Sequence, residues 1–158
     1  MTKVLFVCLG NICRSPLAEA LFKHKIKQLQ WADQFIADSC GTGDYHIGSQ
    51  PDKRTIASAE KHGVEIFHVC RQLTRFDLEE FHYILAMDKN IHQDILLMAN
   101  SSSFDEKIFM MRDFDPLFPG ADVPDPYHGG NREFQEVFGI LNRSVDGFIE
   151  HLKKAHSS

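Results

Sequence analysis

The sequence predicts an α/β fold, in which a parallel β-sheet carries helices on both faces. Apolar runs of strand length alternate with helical patterns along the 158 residues, an order that implies right-handed crossovers. One run, residues 82–87, is apolar throughout, as is typical of a strand buried on both faces. The length favours a single domain over residues 1–158, which would bury about two-thirds of the extended-chain surface.

The first half of the chain is expected to supply two strands and two helices. Residues 4–8 form the first predicted strand, and apolar side chains at three- and four-residue steps predict an amphipathic helix over 17–29. A second strand is expected at 35–40. The next helix is expected at 52–62, with a capping aspartate at its start and Gly63 at its end.

The second half repeats the alternation and contains a long, proline-rich loop at 113–130. Structureless connections beyond about 12–15 residues are uncommon unless they are functional, so we expect a function there. The predicted elements are a helical turn at 76–80, a strand at 82–87, a helix at 88–100, a linker at 101–103, a strand at 107–111 and a closing helix of about twenty residues across 134–152.

Between the first strand and the first helix, the sequence VCLGNICRSP has the residues of an anion-binding loop. Ser15 suits the cap of a helix and Pro16 its first position, because proline has no N–H to leave unpaired. The loop amides would then face inward beside the positive end of the helix dipole, which suits a phosphate-like dianion. Arg14 can hold two phosphate oxygens, and with the amides it stabilises an anionic Cys8 sulfur. The loop therefore predicts phosphoryl transfer, although the C-x5-R-S pattern alone could mark a strand end that only buries a cysteine.

Composition and charge exclude several other classes. The 17 basic and 22 acidic residues give a net charge of −5 without a basic cluster, so no nucleic-acid partner is expected. The sequence shows no secretory signal and no apolar run of the ~20 residues that cross a bilayer, so we expect a cytoplasmic protein without a membrane partner. The cysteine and histidine spacings match no metal motif, so neither a metal nor a cofactor is expected.

The loop VCLGNICRSP resembles the active-site loop of the low-molecular-weight protein tyrosine phosphatases. The sequence Asp125-Pro126-Tyr127 resembles the general-acid loop of that family, residues 38–42 resemble its second-strand segment, and the resemblance spans essentially the whole chain. It implies a flavodoxin-like sheet of four parallel strands in the order 2-1-3-4. It also implies hydrolysis of phosphotyrosine and small aryl phosphate monoesters through a phosphocysteine intermediate.

Asp125 is the candidate general acid. If Cys8 attacks a phosphate monoester, the leaving oxygen must be protonated, and Asp125 stands in the stiff sequence Pro124-Asp125-Pro126. Once deprotonated, the same carboxylate could activate the water that hydrolyses the intermediate. An aspartate between prolines is otherwise a turn residue, but the Cys8 loop favours the catalytic interpretation. Because a thiolate, a phosphate dianion and a carboxylate repel one another, we expect one shared proton, placed on Asp125, and a bell-shaped pH dependence of the rate.

Other residues are expected to shape the loop. Asn11 tolerates a left-handed backbone conformation, and the resemblance implies that Ser39 and His68 hold it, although both could be unrelated polar residues. Ser15 could donate a hydrogen bond to the departing sulfur as well as cap the helix. The predicted phosphate-binding loop consists of Leu9, Gly10, Asn11, Ile12, Cys13 and Arg14.

The rim of the site is expected to select the substrate. Ile12, Tyr45 and Tyr127 are the candidate rim residues: the two tyrosines match family positions whose aromatic rings flank the substrate ring, and a deep slot would favour phosphotyrosine over the shorter phosphoserine. Exposed aromatic residues can also serve packing alone. His128 stands where many family members have a second tyrosine, which leaves rim-tyrosine regulation open.

The remaining cysteines raise the question of redox chemistry. If the loop curls around an anion, Cys13 could come close to Cys8, so that peroxide forms a disulfide between them instead of irreversible acids. Cys13 could equally be a small buried apolar residue. Cys40 and Cys70 are expected in the core.

Two other functions are compatible with a cysteine loop of this kind. Arsenate reductases share the fold and a similar loop, but they relay oxidation through two further cysteines on one flexible segment, which Cys40 and Cys70 do not match. A phosphate- or phosphoprotein-binding module, or a thiol redox sensor, would bind phosphate without turnover. The phosphatase interpretation predicts a phosphotyrosine-containing protein or peptide as partner and inhibition by phosphate-like oxyanions.

Overall fold

The protein, described here from a computed structural model that covers residues 1–157, is built on a four-stranded parallel sheet. The strands are β1 (Thr2–Cys8), β2 (Phe35–Gly41), β3 (Tyr83–Ala86) and β4 (Ile108–Met110). Their order is β2-β1-β3-β4 and each neighbouring pair is parallel, which confirms the predicted fold class and strand order. The helices are α1 (Arg14–Gln28), α2 (Lys53–Glu60), α3 (Arg75–Glu80), α4 (Lys89–Ala99) and α5 (Asn131–Ser157).

Two apolar clusters, one on each face of the sheet, form the core. Alternate side chains of β1 point to opposite faces, as the two-residue period of a strand requires. Phe6 lies in the cluster that α1 and α5 cover, whereas Leu5 and Val7 lie in the cluster that α3 and α4 cover. All three are fully buried. The continuously apolar strands of the sequence are therefore explained by burial on both faces.

The structure corrects five details of the sequence-based prediction. Residues 14–22 of α1 are buried on all sides, so this helix is amphipathic only in its last turns. The predicted linker at 101–103 leads into a 3₁₀ helix, Ser102–Lys107, and the loop expected at 113–130 begins inside another, Met111–Phe114. α2 ends at Glu60 with Lys61 as its C-cap, two residues before Gly63, which adopts a φ of 73° in the following turn.

The fifth correction concerns α5, which has 27 residues rather than about twenty. It packs against α1, α2 and the Met111–Phe114 turn. Gly147 allows α5 to pack closely against the Met111–Phe114 turn, because a Cβ atom at this position would overlap the carbonyl oxygen of Phe114. Among the described residues, no helix is both long enough and apolar enough to span a bilayer.

Candidate active site

The Cys8 loop, residues 8–15, connects the carboxyl end of β1 to α1. Cys8 is the last residue of β1 and is 3% exposed. Its Sγ accepts a hydrogen bond from the backbone N–H of Asn11 at 3.3 Å and lies 2.9 Å from the hydroxyl of Ser15. Two donors can therefore reach the sulfur at the floor of the loop, where negative charge would be stabilised.

Ser15 does not cap α1, so this part of the prediction is wrong. The helix begins one residue earlier than Ser15, its N-cap is Cys13, and no side chain bonds to its first amides. The Ser15 hydroxyl instead faces the Cys8 sulfur, accepts a hydrogen bond from Asn11 Nδ2 at 2.8 Å and lies 3.3 Å from the carbonyl of Cys40. The first helical amides are left available because they border the anion cradle.

Arg14 is held by hydrogen bonds from two other segments. Its Nη1 donates to Asp88 Oδ2 at 2.7 Å and to the carbonyl of Val123 at 2.9 Å, and its side chain is 3% exposed. Burial lowers the pKa of Arg14, but the neighbouring Cys8 sulfur and the Asp88 carboxylate outweigh this effect and leave the pKa above its ordinary value. The guanidinium is therefore a fixed positive charge that faces the loop.

Asn11 fixes the turn of the Cys8 loop. Its φ is 59°, the left-handed conformation expected from the sequence. Its Nδ2 donates to the hydroxyls of Ser15 and Ser39 at 2.8 and 3.1 Å. Its Oδ1 accepts from the backbone N–H of Arg71 at 2.9 Å and from His68 Nε2 at 2.7 Å. Ser39 and His68 therefore both contact Asn11, as the resemblance implied.

His68 and Ser39 are in turn held by a buried carboxylate. Ser39 Oγ donates to Glu19 Oε1 at 2.6 Å, and His68 Nδ1 lies 3.3 Å from the same oxygen. Burial lowers the pKa of His68, whereas the carboxylates of Glu19 and Asp38 act in the opposite direction. Because Asn11 Oδ1 can only accept, His68 Nε2 must carry a proton.

Close backbone contacts place β2 against the same loop. The N–H groups of Thr42 and Gly43 donate to the carbonyls of Cys8 and Leu9, both at 2.9 Å. A Cβ atom on Gly41 would lie 2.5 Å from the carbonyl oxygen of Leu9. Only glycine permits this approach, so Gly41 is part of the loop support.

Asp125 lies above the Cys8 loop. It belongs to the segment of residues 115–130, which we call the Asp125 loop. Its Oδ1 accepts a hydrogen bond from the backbone N–H of Tyr127 at 3.1 Å, and its Oδ2 lies 3.8 Å from Arg14 Nη2. The side chain is 45% exposed, so proton exchange with solvent is open. Asp125 and Cys8 line the same cavity, which has a volume of about 310 Å³.

A buried ion cluster holds the start of the Asp125 loop. Asp115 is 1% exposed and accepts hydrogen bonds from Arg112 Nε and from both Nε and Nη2 of Arg143 at 2.7 to 3.0 Å. The Arg143 guanidinium, with some help from Arg112, holds the pKa of Asp115 well below its usual range. Arg112 also donates to the carbonyl of Asp122 at 2.8 Å, which continues the attachment toward Asp125.

The rim of the cavity carries aromatic side chains. Tyr45 is 69% exposed and Tyr127 is 40% exposed, and both line the cavity together with Ile12. His46 and His128 line it as well, and both rings contact Tyr127. An aryl group bound above Cys8 would therefore lie between aromatic surfaces.

The other cysteines differ in their surroundings. Burial raises the pKa of Cys13 to about 12, so this residue is a thiol at neutral pH. Cys70 was expected only in the core, but its Sγ donates to the carbonyl of Asn11 at 2.9 Å and thus also supports the loop. Cys40 is fully buried, as expected.

Sequence reasoning missed several residues that position the site. Asp88 could have been found, because it is the second residue after the buried strand β3 and ligands bind beyond the carboxyl ends of parallel strands. Arg71 and Arg143 gave no signal, since their contacts with Asn11, Asp38 and Asp115 join segments far apart in the chain. Arg54 also escaped notice, although its guanidinium donates to the carbonyl of Tyr127 at 3.0 Å.

The fold and the loop define an α/β protein with a cysteine-based phosphoryl-transfer site. A model of the low molecular weight phosphotyrosine protein phosphatase family matches residues 3–158. The human protein of this name is 38% identical over 154 residues, covering 97% of this chain and 95% of the human one. The Schizosaccharomyces pombe protein of the same name is 39% identical over 156 residues, covering 96% and 99%.

Solved structures give the same result. A crystal structure of a protein tyrosine phosphatase from Entamoeba histolytica, with Hepes in its active site, superposes with a TM-score of 0.94 at 37% identity and covers 99% of each chain. A product-state mimic of the enzyme from that organism has a TM-score of 0.90 and covers 98% of this chain and 97% of that one. The chain therefore belongs to the low molecular weight phosphotyrosine protein phosphatase family, a family of hydrolases.

Proposed function

We propose that this protein hydrolyses phosphotyrosine in proteins or peptides, with Cys8 as nucleophile and Asp125 as general acid. The observation that supports this most strongly is the convergence on one cavity of the Cys8 sulfur, the Arg14 guanidinium and the Asp125 carboxyl group. A phosphate-binding module needs the cradle but has no use for an acid beside it. This arrangement supplies a nucleophile, a positive charge and a proton donor.

In the proposed first step, the Cys8 thiolate attacks phosphorus and the P–O bond to the leaving oxygen breaks. Arg14 and the loop amides bind the phosphoryl oxygens, whose charge they are oriented to stabilise before the reaction begins. Asp125 gives its proton to the leaving phenolate, so the products are phosphocysteine and a tyrosine hydroxyl. The hydroxyl of Ser15 is placed to stabilise the sulfur anion whenever phosphorus is not bound to it.

In the second step, the Asp125 carboxylate takes a proton from water, which attacks phosphorus and releases inorganic phosphate and the thiolate. The cycle needs Asp125 protonated in one step and ionised in the other. The rate with an aryl phosphate is therefore expected to pass through a maximum between about pH 4 and 8. A profile that is flat over this range would remove Asp125 from the mechanism.

The decisive experiment compares three variants on substrates with different leaving groups. Cys8→Ser should lower the turnover of p-nitrophenyl phosphate at least about 10³-fold, while retaining phosphate binding. Asp125→Asn should slow phenyl phosphate, with its poor leaving group, by about 10²–10⁴-fold and p-nitrophenyl phosphate much less. Asp105→Asn, an exposed aspartate in the Ser102–Lys107 turn, is the control and should change neither rate.

Three outcomes would contradict the proposal. Unchanged turnover in Cys8→Ser would exclude the sulfur as nucleophile. An Asp125→Asn variant that slows both aryl phosphates by the same factor would exclude proton donation to the leaving group. Phosphate binding without any turnover by the wild type would favour a binding module instead.

Further parts of the proposal concern inhibition, oxidation and location. Phosphate-like oxyanions such as vanadate should compete with substrate, because they match the cradle of amides and Arg14. Peroxide should inactivate the enzyme reversibly through a Cys8–Cys13 disulfide, and in Cys13→Ser, where excess peroxide can carry the Cys8 sulfenic acid on to the sulfinic acid, a thiol reductant should restore a smaller fraction of the activity. All four cysteines are free thiols in the structure, so we place the enzyme in a reducing compartment, the cytoplasm.

A further inference from the structure

A second depression lies beside the proposed active-site cavity. It has a volume of about 250 Å³, and Leu9 and Tyr45 line both depressions. Its other walls include Leu73, Asp94 and Met98. Because the two depressions share a wall, a peptide bound in the first one has its flanking residues close to the second.

Tyr45 forms the ridge between the two depressions, and the backbone beneath it fixes its place. A Cβ atom on Gly43 would lie 2.5 Å from Tyr45 Cε2, so the ring lies directly against this glycine. The N–H of Gly43 donates to the carbonyl of Leu9 at 2.9 Å, which ties the ridge to the Cys8 loop. The contact of Gly43 with the Tyr45 ring and the hydrogen bond from Gly43 to Leu9 thus fix the position of the second depression relative to Cys8.

The lining of the second depression has a specific chemistry. Leu9, Leu73 and Met98 provide apolar surface, and Asp94 is the charged residue of the lining. Asp94 and Met98 are four residues apart on α4 and therefore share a face of this helix. The Asp94 side chain is exposed and has no hydrogen bond or ion pair with any residue that the structure describes.

A polar atom with no partner also belongs to this lining. Thr42 Oγ1 is buried and makes no hydrogen bond within residues 1–157. The backbone N–H of the same residue donates to the carbonyl of Cys8, and its backbone carbonyl accepts from Gln72. Buried hydroxyl groups are nearly always paired, so a single one without a partner beside a depression is notable. Because this oxygen is itself buried, a side chain in the depression would not contact it directly, and recognition of that side chain depends on the other lining residues.

We propose that this depression is a substrate subsite for a lysine or arginine close to the phosphotyrosine. The aliphatic stem of such a side chain would pack on Leu9, Leu73 and Met98, and its charged end would pair with Asp94. This inference rests on the proposed function and adds a sequence preference to it. An acidic substrate residue at the same position would be repelled by Asp94.

The geometry of an extended peptide agrees with this occupant. Residues two apart in an extended chain are about 6.6 Å apart and present their side chains to the same side. Because Leu9 and Tyr45 line both depressions, a side chain that flanks a phosphotyrosine in the first one is the candidate to enter the second. The reach of lysine and arginine stems suits a charge that lies at the outer end of an apolar wall.

The test measures kcat/KM for phosphotyrosine peptides that carry arginine or citrulline at one flanking position at a time. Citrulline has nearly the shape of arginine without its charge. At one position the wild type should prefer arginine by about two- to fivefold, the range of a solvent-exposed ion pair, and the preference should decrease with added salt. In Asp94→Asn the ratio should fall to about one.

Asp33→Asn, an exposed aspartate in the Ala32–Gln34 turn, is the matched control and should keep the wild-type ratio. The subsite proposal fails if no position prefers arginine, if the preference survives in Asp94→Asn, or if leucine is accepted as well as arginine. Absence of turnover with every peptide and with aryl phosphate would contradict the proposed function itself. The two failures are therefore distinguishable.

Discussion

The two loops that form the proposed active site are attached to the protein in different ways. The Cys8 loop is buried except around Leu9, Gly10 and Ile12, and it is held by many separate hydrogen bonds, four of them to the Asn11 side chain alone. The Asp125 loop is largely exposed and is attached at a few points, of which the buried Asp115 cluster has the most charge-assisted bonds. The bonds that hold the Cys8 loop are distributed along it, whereas the charge-assisted bonds that hold the Asp125 loop are concentrated at Asp115.

The difference follows from what each loop has to do. The Cys8 loop must have its amides oriented before charge develops, because any reorganisation during the reaction would raise the barrier. The Asp125 loop only has to deliver one carboxyl group to the leaving oxygen, and its acid must exchange protons with water. Single substitutions should therefore act on the two loops in different ways.

The largest effect is expected from Asp115→Asn, because it removes the concentrated attachment. Arg112 and Arg143 would lose their buried carboxylate, and loss of one partner from a buried ion cluster typically costs about 3 kcal/mol in the free energy of unfolding. Urea unfolding at pH 7 measures this difference. An Asp115→Asn protein as stable as the wild type would contradict the concentrated attachment.

The difference in the free energy of unfolding between the wild type and Asp115→Asn should depend on pH in a defined direction. The pKa of Asp115 is lowered in the folded protein, so its carboxylate contributes fully above the ordinary aspartate pKa of about 4. The contribution is lost as pH falls through the lowered pKa. The stability gap between wild type and Asp115→Asn should thus be constant from about pH 5 to 8 and narrow below about pH 4.

The next largest effect is expected from Gly41→Ala, which tests the backbone contact beneath the Cys8 loop. The new Cβ would lie 2.5 Å from the carbonyl oxygen of Leu9 and 3.1 Å from the N–H nitrogen of Asn11. Overpacking of this kind costs about 1–3 kcal/mol, and the displaced amides should also reduce kcat. Gly130→Ala is the control in the other loop, where no atom lies within 4 Å, and should change stability by no more than about 0.5 kcal/mol.

Asn11→Ala tests the distributed attachment itself. It removes four side-chain hydrogen bonds and leaves alanine at a φ of 59°, so kcat for an aryl phosphate should fall about 10- to 100-fold. Asn100→Ala is the matched control, because Asn100 has a φ of 47° at the exposed end of α4. It should lose stability from the same backbone strain without a change in kcat. Equal kcat losses in both variants would show that backbone strain alone is responsible.

The smallest effect is expected at the rim. Arg54 donates to the carbonyls of Tyr127 and Gly129, and its guanidinium lies 4.6 Å from the ring centre of Phe134. Arg54→Lys loses the planar fork and should raise KM for a phosphotyrosine peptide about two- to threefold, with little change in kcat. Lys53→Arg, at the neighbouring exposed position, should leave KM unchanged. A large kcat loss in Arg54→Lys would show that the rim also positions Asp125.

Much of the fold and the centre of the site could be predicted from the sequence, because their signals are local. The alternation of apolar runs predicts the parallel sheet, and the spacing of Cys8, Asn11 and Arg14 within one short loop predicts the anion cradle. The role of Ser15 shows the limit of this reasoning. A Ser-Pro pair is a good helix start by local rules, yet the hydroxyl faces the sulfur because the whole loop curls around the site.

The sequence by itself determined the class of chemistry, since a cysteine, an arginine and a left-handed asparagine lie within a few residues of one another. Only the tertiary structure decided how that chemistry is supported and what surrounds it. Arg71, Asp88 and Asp115 act through contacts with residues far away in the chain, and Asp94 and Leu9 line one depression only after the sheet has formed. Local patterns record backbone preferences, whereas such contacts depend on which strand ends the sheet brings together.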